Sequence, residues 1–149
     1  MTPLPIRVLG DPILRKETTP VTSITNDLRQ LIDAMFTTMY AARGIGLAAP
    51  QVGRTERLTI VDVNDEPLVL INPEVLASNG MERDEEGCLS IPDIYGDVDR
   101  PSTIHFRAMD RDREFKLPPC CLSGMQQDLP CTSAGEPRTP VIVVPLACH

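Results

Sequence analysis

Six apolar residues, Leu28, Leu31, Ile32, Met35, Phe36 and Met39, recur with the 3.6-residue period of a helix that has one apolar face. Thr25 or Asn26 can cap its start and Gly44 can end it, so the spacing predicts an amphipathic helix over 26–42. Such a face must be buried, and the chain after it is β-like. The runs Leu58-Thr59-Ile60-Val61-Asp62-Val63 and Leu68-Val69-Leu70-Ile71-Asn72-Pro73 flank the turn signal Asn64-Asp65-Glu66-Pro67, which predicts an antiparallel pair. Over 103–110, Ile104, Phe106 and Ala108 fall on one face and His105 and Arg107 on the other, the pattern of a half-buried strand. His105 is expected to be a solvated residue of that strand and not a ligand. The segments 6–12 and 18–22 read as extended or turn structure.

With 149 residues and 42% apolar content, one soluble domain with a packed core is expected. The net charge of −7 argues against a general binder of phosphate backbones, so no nucleic-acid partner is expected. No apolar run approaches the roughly 20 residues that span a bilayer, and residues 1–12 lack a basic stretch followed by a long apolar one. A cytoplasmic protein with no membrane partner is the expectation.

The five cysteines are an odd set for a disulfide framework and are expected to be reduced thiols. Their distribution is uneven: Cys88 stands alone before Leu117, while Cys120, Cys121, Cys131 and Cys148 follow it, together with Pro118, Pro119, Pro130, Pro137, Pro140 and Pro145. The chain changes character near Leu117, and a stable long helix beyond it is not expected.

Two stretches carry chemistry. In Gly44-Ile45-Gly46-Leu47-Ala48-Ala49-Pro50-Gln51 the glycines let the backbone turn and approach a ligand closely, and Gln51 adds a side-chain amide donor. A helix cap followed by a small-residue packing segment has the same look, and no Gly-Lys-Ser/Thr follows to make a phosphate loop. In Glu85-Glu86-Gly87-Cys88-Leu89-Ser90-Ile91-Pro92 a single thiol can be a nucleophile, a metal ligand or a small buried hydrophobe. The nucleophile reading lacks partners, because His105 and His149 are the two histidines of the chain.

Together the two stretches resemble the first two signature motifs of the peptide deformylases, in the family's order. The resemblance extends to Gly-Asp-Pro-Ile-Leu-Arg at 10–15, Met39-Tyr40, Ile71-Asn72-Pro73 and the turn Val98-Asp99-Arg100-Pro101, over about residues 5–117. It implies an α+β fold in which antiparallel strands wrap a central helix carrying His-Glu-x-x-His. It also implies a divalent metal, Fe2+ by family with Zn2+ or Ni2+ as substitutes, held by two His and one Cys. The implied reaction removes the formyl group from the N-terminal formyl-methionine of nascent proteins, and the implied partners are formyl-methionyl peptides, met by a monomer. Carried over by residue, Cys88 is the thiolate ligand, and Gln51 and the Leu89 N–H are the oxyanion donors. Ile45 and Gly46 border the substrate, and Glu86 and Gly87 belong to the substrate-side loop.

No His-Glu-x-x-His exists in this chain. The stretch in register is Met125-Gln126-Gln127-Asp128-Leu129-Pro130-Cys131, which places Gln127 and Cys131 as metal ligands and Asp128 as the base. A Gln oxygen is a poor substitute for imidazole, Asp128 is a methylene shorter than Glu, and Pro130 inside a helix costs about 3 kcal/mol. The expected organisation is a deformylase-like domain over 1–117 and a divergent Pro/Cys-rich tail over 118–149 in place of the metal-binding helix, with disorder one expected state. A shifted reading frame, a decayed gene or a divergent protein with another role would each produce such a tail. The expected activity is therefore impaired. The alternatives are a non-catalytic binder of N-terminal methionine peptides and a thiol-based metal binder using Cys88 with Cys120, Cys121 or Cys131.

Overall fold

The structure, a computed structural model, describes residues 2–63, 65–112, 114–116 and 120–121. The expectations for the His105 side chain, Gln127, Asp128 and Cys131, and for a helix beyond Leu117, lie outside the described residues.

The expected helix forms as α1, Asn26–Ala41. Thr25 caps it from an extended backbone, its hydroxyl accepting the Leu28 N–H at 3.2 Å, and Asp27 sits in the first turn where the helix dipole favours an acid. Ile32, Met35 and Met39 are fully buried, each contributing roughly 1.5–3 kcal/mol. Thr38, also buried, accepts the Leu4 N–H at 2.8 Å and donates to the Ala34 carbonyl at 2.6 Å, tying the N-terminal segment to the helix.

The end of α1 differs from the expectation that Gly44 stops it. Arg43 is the residue in the left-handed region, at φ 55°. Its N–H bonds the Tyr40 carbonyl at 3.0 Å and the Gly44 N–H bonds the Met39 carbonyl at 2.9 Å, a complete Schellman cap. Gly44 is needed for another reason: a Cβ built there would lie 2.6 Å from Leu89 Cδ1.

The strands are β1 (Gly46–Ala48), β2 (Leu58–Val63), β3 (Glu66–Asn79), β4 (Glu82–Cys88), β5 (Ile91–Arg100), β6 (Thr103–Met109), β7 (Glu114–Lys116) and β8 (Cys120–Cys121). One sheet runs in the order β1-β2-β3-β6-β7, with β8 also paired to β6, and β4 and β5 form a separate two-stranded ribbon. Every pairing between these strands is antiparallel. The β2–β3 pair runs from Leu58↔Ile71 to Val63↔Glu66. Alternation then sends Leu58, Ile60, Val69 and Ile71 into the core with α1, while Val61 and Leu70 join Phe106 and Ala108 in a second cluster. The class is α+β: a helix packed on an antiparallel sheet.

Two local expectations are corrected. The second run does not stop at Pro73, because β3 continues to Asn79 through an irregularity between Ile71 and Glu74 that takes up the proline. Asn72 sits there at φ 51°, and its side chain both accepts from and donates to the Val21 backbone at 2.8 Å. Residues 98–100 are strand and not turn, since the Arg100 side chain is anchored across the ribbon. The segment 6–12 is irregular and turn structure as expected, and it leads into the 3-10 helix Pro12–Arg15, started by Asp11 accepting the Ile13 N–H at 3.0 Å.

Candidate active site

The first motif becomes β1 followed by a 3-10 turn, Ala49–Val52, that swings Gln51 inward. Gln51 is 6% exposed. Its Oε1 accepts the Ala48 N–H at 2.9 Å, which fixes which end of the amide carries the N–H groups and aims Nε2 at the second motif. Nε2 lies 3.2 Å from Ser90 Oγ and 3.7 Å from Cys88 Sγ. One amide proton is therefore held by a hydroxyl, and the other faces a weak sulfur acceptor.

The second motif closes the β4–β5 ribbon: Leu89 and Ser90 form the turn between Cys88 and Ile91. The Leu89 side chain is partly buried in the helix core and rests over Gly44. The two motifs are thus joined twice, by Gln51 to Cys88 and Ser90 and by Gly44 to Leu89. The N-terminal segment laces them from outside, with the Arg7 N–H on the Gln51 carbonyl at 2.7 Å and the Leu9 N–H on the Ser90 carbonyl at 2.8 Å.

Glu86 takes the Arg100 guanidinium in both carboxylate oxygens, at 3.1 and 2.9 Å, with both side chains largely shielded from solvent. Gly87 lies under Tyr95, where a Cβ would come within 2.8 Å of the ring. Ile45 is 59% exposed just before β1, and β1 pairs with β2 on one side and with no strand on the other among the described residues.

Of the residues singled out by sequence, the fold brings Gln51, Cys88 and Leu89 together, puts Ile45 and Gly46 at the sheet edge beside them, and commits Glu86 to Arg100. Ser90 and Arg100 complete the arrangement without having been singled out for it. Ser90 carries a faint signal, a lone hydroxyl between two bulky apolar residues, whereas Arg100, which stands opposite Glu82 in the ribbon, reaches Glu86 only by extending its side chain along it.

The polypeptide deformylase family model matches residues 3–117. The chain belongs to the peptide deformylase family. It is 53% identical over 115 residues to the peptide deformylase of Hydrogenovibrio crunogenus, covering 75% of this chain and 68% of that one. It is 50% identical over 109 residues to peptide deformylase 1 of Clostridium acetobutylicum, covering 73% of each. Among solved structures, the Thermotoga maritima peptide deformylase aligns with TM-score 0.78 at 38% identity over 81% of this chain and 83% of that one. The Synechococcus elongatus enzyme, solved in complex with actinonin, aligns with TM-score 0.77 at 43% identity over 81% and 67%.

Peptide deformylases are metal-dependent. At this site the described residues offer one suitable donor, the Cys88 sulfur. The Glu86 carboxylate is occupied by Arg100, and among the described residues no three His, Cys, Asp or Glu side chains converge. The donors described do not make up a metal centre, so no chemical step is derived through one.

Proposed function

We propose that this chain engages the formyl-methionyl N-terminus of nascent proteins as a peptide deformylase whose hydrolysis is impaired. The observation that carries the substrate side is the locked Gln51 amide, with one N–H directed past Cys88 and beside the Leu89 turn. A 3.7 Å contact to sulfur is weak, so a carbonyl oxygen that develops negative charge can displace it at little cost. The Leu89 N–H is the second donor in this reading.

The peptide lies along the edge of β1 that no described strand pairs, bonding the backbone at Ile45 and Gly46, while Glu86 and Gly87 hold the loop that presents Cys88. Cys88 is the proposed thiolate ligand, with Fe2+, Zn2+ or Ni2+ as the candidate metals. Gln127 and Cys131 are the proposed further ligands and Asp128 the proposed base. A set of two thiolates and a neutral amide departs from the two imidazoles and one thiolate of the family, and this departure supports impaired turnover. The chain acts as a monomer in the cytoplasm in this reading; no described helix is long and apolar enough to cross a membrane.

Titration of the full chain with formyl-Met-Ala-Ser tests the substrate side. Saturable binding that Gln51→Ala weakens up to about tenfold, the effect of one buried hydrogen bond between neutral groups, is expected. Binding unaffected by that substitution contradicts the placement of Gln51.

A further inference from the structure

We infer that Tyr40 and Asp62 form a clasp that holds the edge of β1 in place for substrate, which makes them positioning residues of the site. The inference rests on the reading of β1 as the substrate edge and extends it to residues outside both motifs.

The clasp follows from where Asp62 stands. Its backbone N–H bonds the Ile45 carbonyl at 2.9 Å, just before β1 begins. Its side chain accepts the Tyr40 hydroxyl through Oδ2. One residue of β2 thus grips both ends of the turn that leads from α1 into the edge strand. Inside that turn Arg43 holds a left-handed backbone, a conformation that persists in a bulky residue only where its surroundings enforce it.

Two features show that the clasp is not simply core packing. Tyr40 is 50% exposed, and its ring stacks on Phe36 with centroids 6.0 Å apart, so the phenol buries little apolar surface. Asp62 Oδ1 is buried and has no hydrogen-bond partner among the described residues, an arrangement that stability alone disfavours. A phenol is protonated at physiological pH in any case, and the bond to Asp62 and, secondarily, partial burial push the Tyr40 pKa further up, to about 12. The clasp is therefore closed whenever the protein is folded under ordinary conditions.

The experiment compares the full chain with Tyr40→Phe and Asp62→Asn by amide hydrogen exchange and by titration with formyl-Met-Ala-Ser. Tyr40→Phe removes one hydroxyl from a half-exposed ring, so the fold is kept. Expected for Tyr40→Phe is exchange about tenfold faster at residues 44–48, with protection inside α1 and β3 unchanged, and a peptide dissociation constant raised about fivefold. Asp62→Asn keeps a carbonyl that accepts from the phenol and is expected to retain most of the affinity. Unchanged exchange at 44–48 in Tyr40→Phe overturns the inference, as does unchanged affinity where the unsubstituted chain binds. If the unsubstituted chain binds no peptide, the substrate-edge reading fails and the positioning role falls with it, and the exchange data then tell whether the bond still orders the turn.

Discussion

Gln51 spends every polar atom of its side chain: the oxygen on the Ala48 N–H, one amide proton on Ser90, the other facing Cys88. Gln51→Leu leaves the buried Ser90 hydroxyl and the Ala48 N–H without those partners, and a loss of about 1–3 kcal/mol is expected in urea unfolding. Gly44 makes a different demand, because a methyl there meets Leu89 Cδ1 at 2.6 Å. Gly44→Ala is expected to displace the Leu89 side chain and to weaken peptide binding more than it lowers stability, which titration beside thermal unfolding measures. Tyr40 gives a pH prediction. Its folded pKa, about 12, stands above the ordinary 10.0, so its contribution is fully present below pH 10 and is lost as pH rises toward 12. Near-ultraviolet absorbance of tyrosinate should therefore show a late step, close to pH 12, that Tyr40→Phe removes. A late step that survives the substitution assigns it elsewhere.

At the level of elements, the ribbon of β4 and β5 carries Cys88 at its turn and touches the rest of the site through few bonds. The Glu86–Arg100 pair braces it internally, from the end of β5 to a point near the turn, and both groups are largely shielded. Arg100→Met leaves the Glu86 carboxylate without its partner, and a loss of about 1.5–3 kcal/mol is expected in thermal or urea unfolding. The ion pairs of Arg29 with Asp112 and Arg111 with Asp33 tie α1 to the segment after β6, but they are exposed and contribute little. The elements themselves were legible to different degrees. Helix α1 could be read because an apolar period over three turns has few other uses, β6 because alternation matches a half-buried strand, and β2 because a β-branched run beside a turn signal suits a strand buried on both faces. The extension of β3 past Pro73 could not be read, since proline ordinarily ends a central strand and the irregularity that accommodates it depends on Asn72 reaching back to Val21. Within the site, Gln51, Cys88 and Leu89 were visible as motif residues. Ser90, Arg100, Tyr40 and Asp62 act through partners that only the register and the turn after α1 bring near, and no local pattern encodes such partners.

Among the described residues there are two apolar clusters, one between α1 and the sheet and one around Val61, Leu70, Phe106 and Ala108. The family model's match ends at residue 117, and the stretch at 125–131, which contains Pro130, is the proposed counterpart of the family's metal-binding motif. The proposed reading, in which that motif is degraded, implies fewer packing partners as well as fewer ligands, so marginal stability is expected, and a cooperative thermal transition above roughly 60 °C contradicts it. Chemistry at this scale is a matter of donors: the Gln51 amide and the Cys88 turn are brought together, and in the proposed reading β1 is the substrate edge and Gln127 and Cys131 stand where the family is expected to place imidazoles. Formate release from formyl-Met-Ala-Ser, with the chain reconstituted without oxygen in iron(II), nickel(II) or zinc, tests this directly. The prediction is that the peptide binds but that formate appears no faster than with Cys88→Ala. Turnover that Cys88→Ala abolishes contradicts it and makes Gln127, Asp128 and Cys131 the residues that rebuild the site.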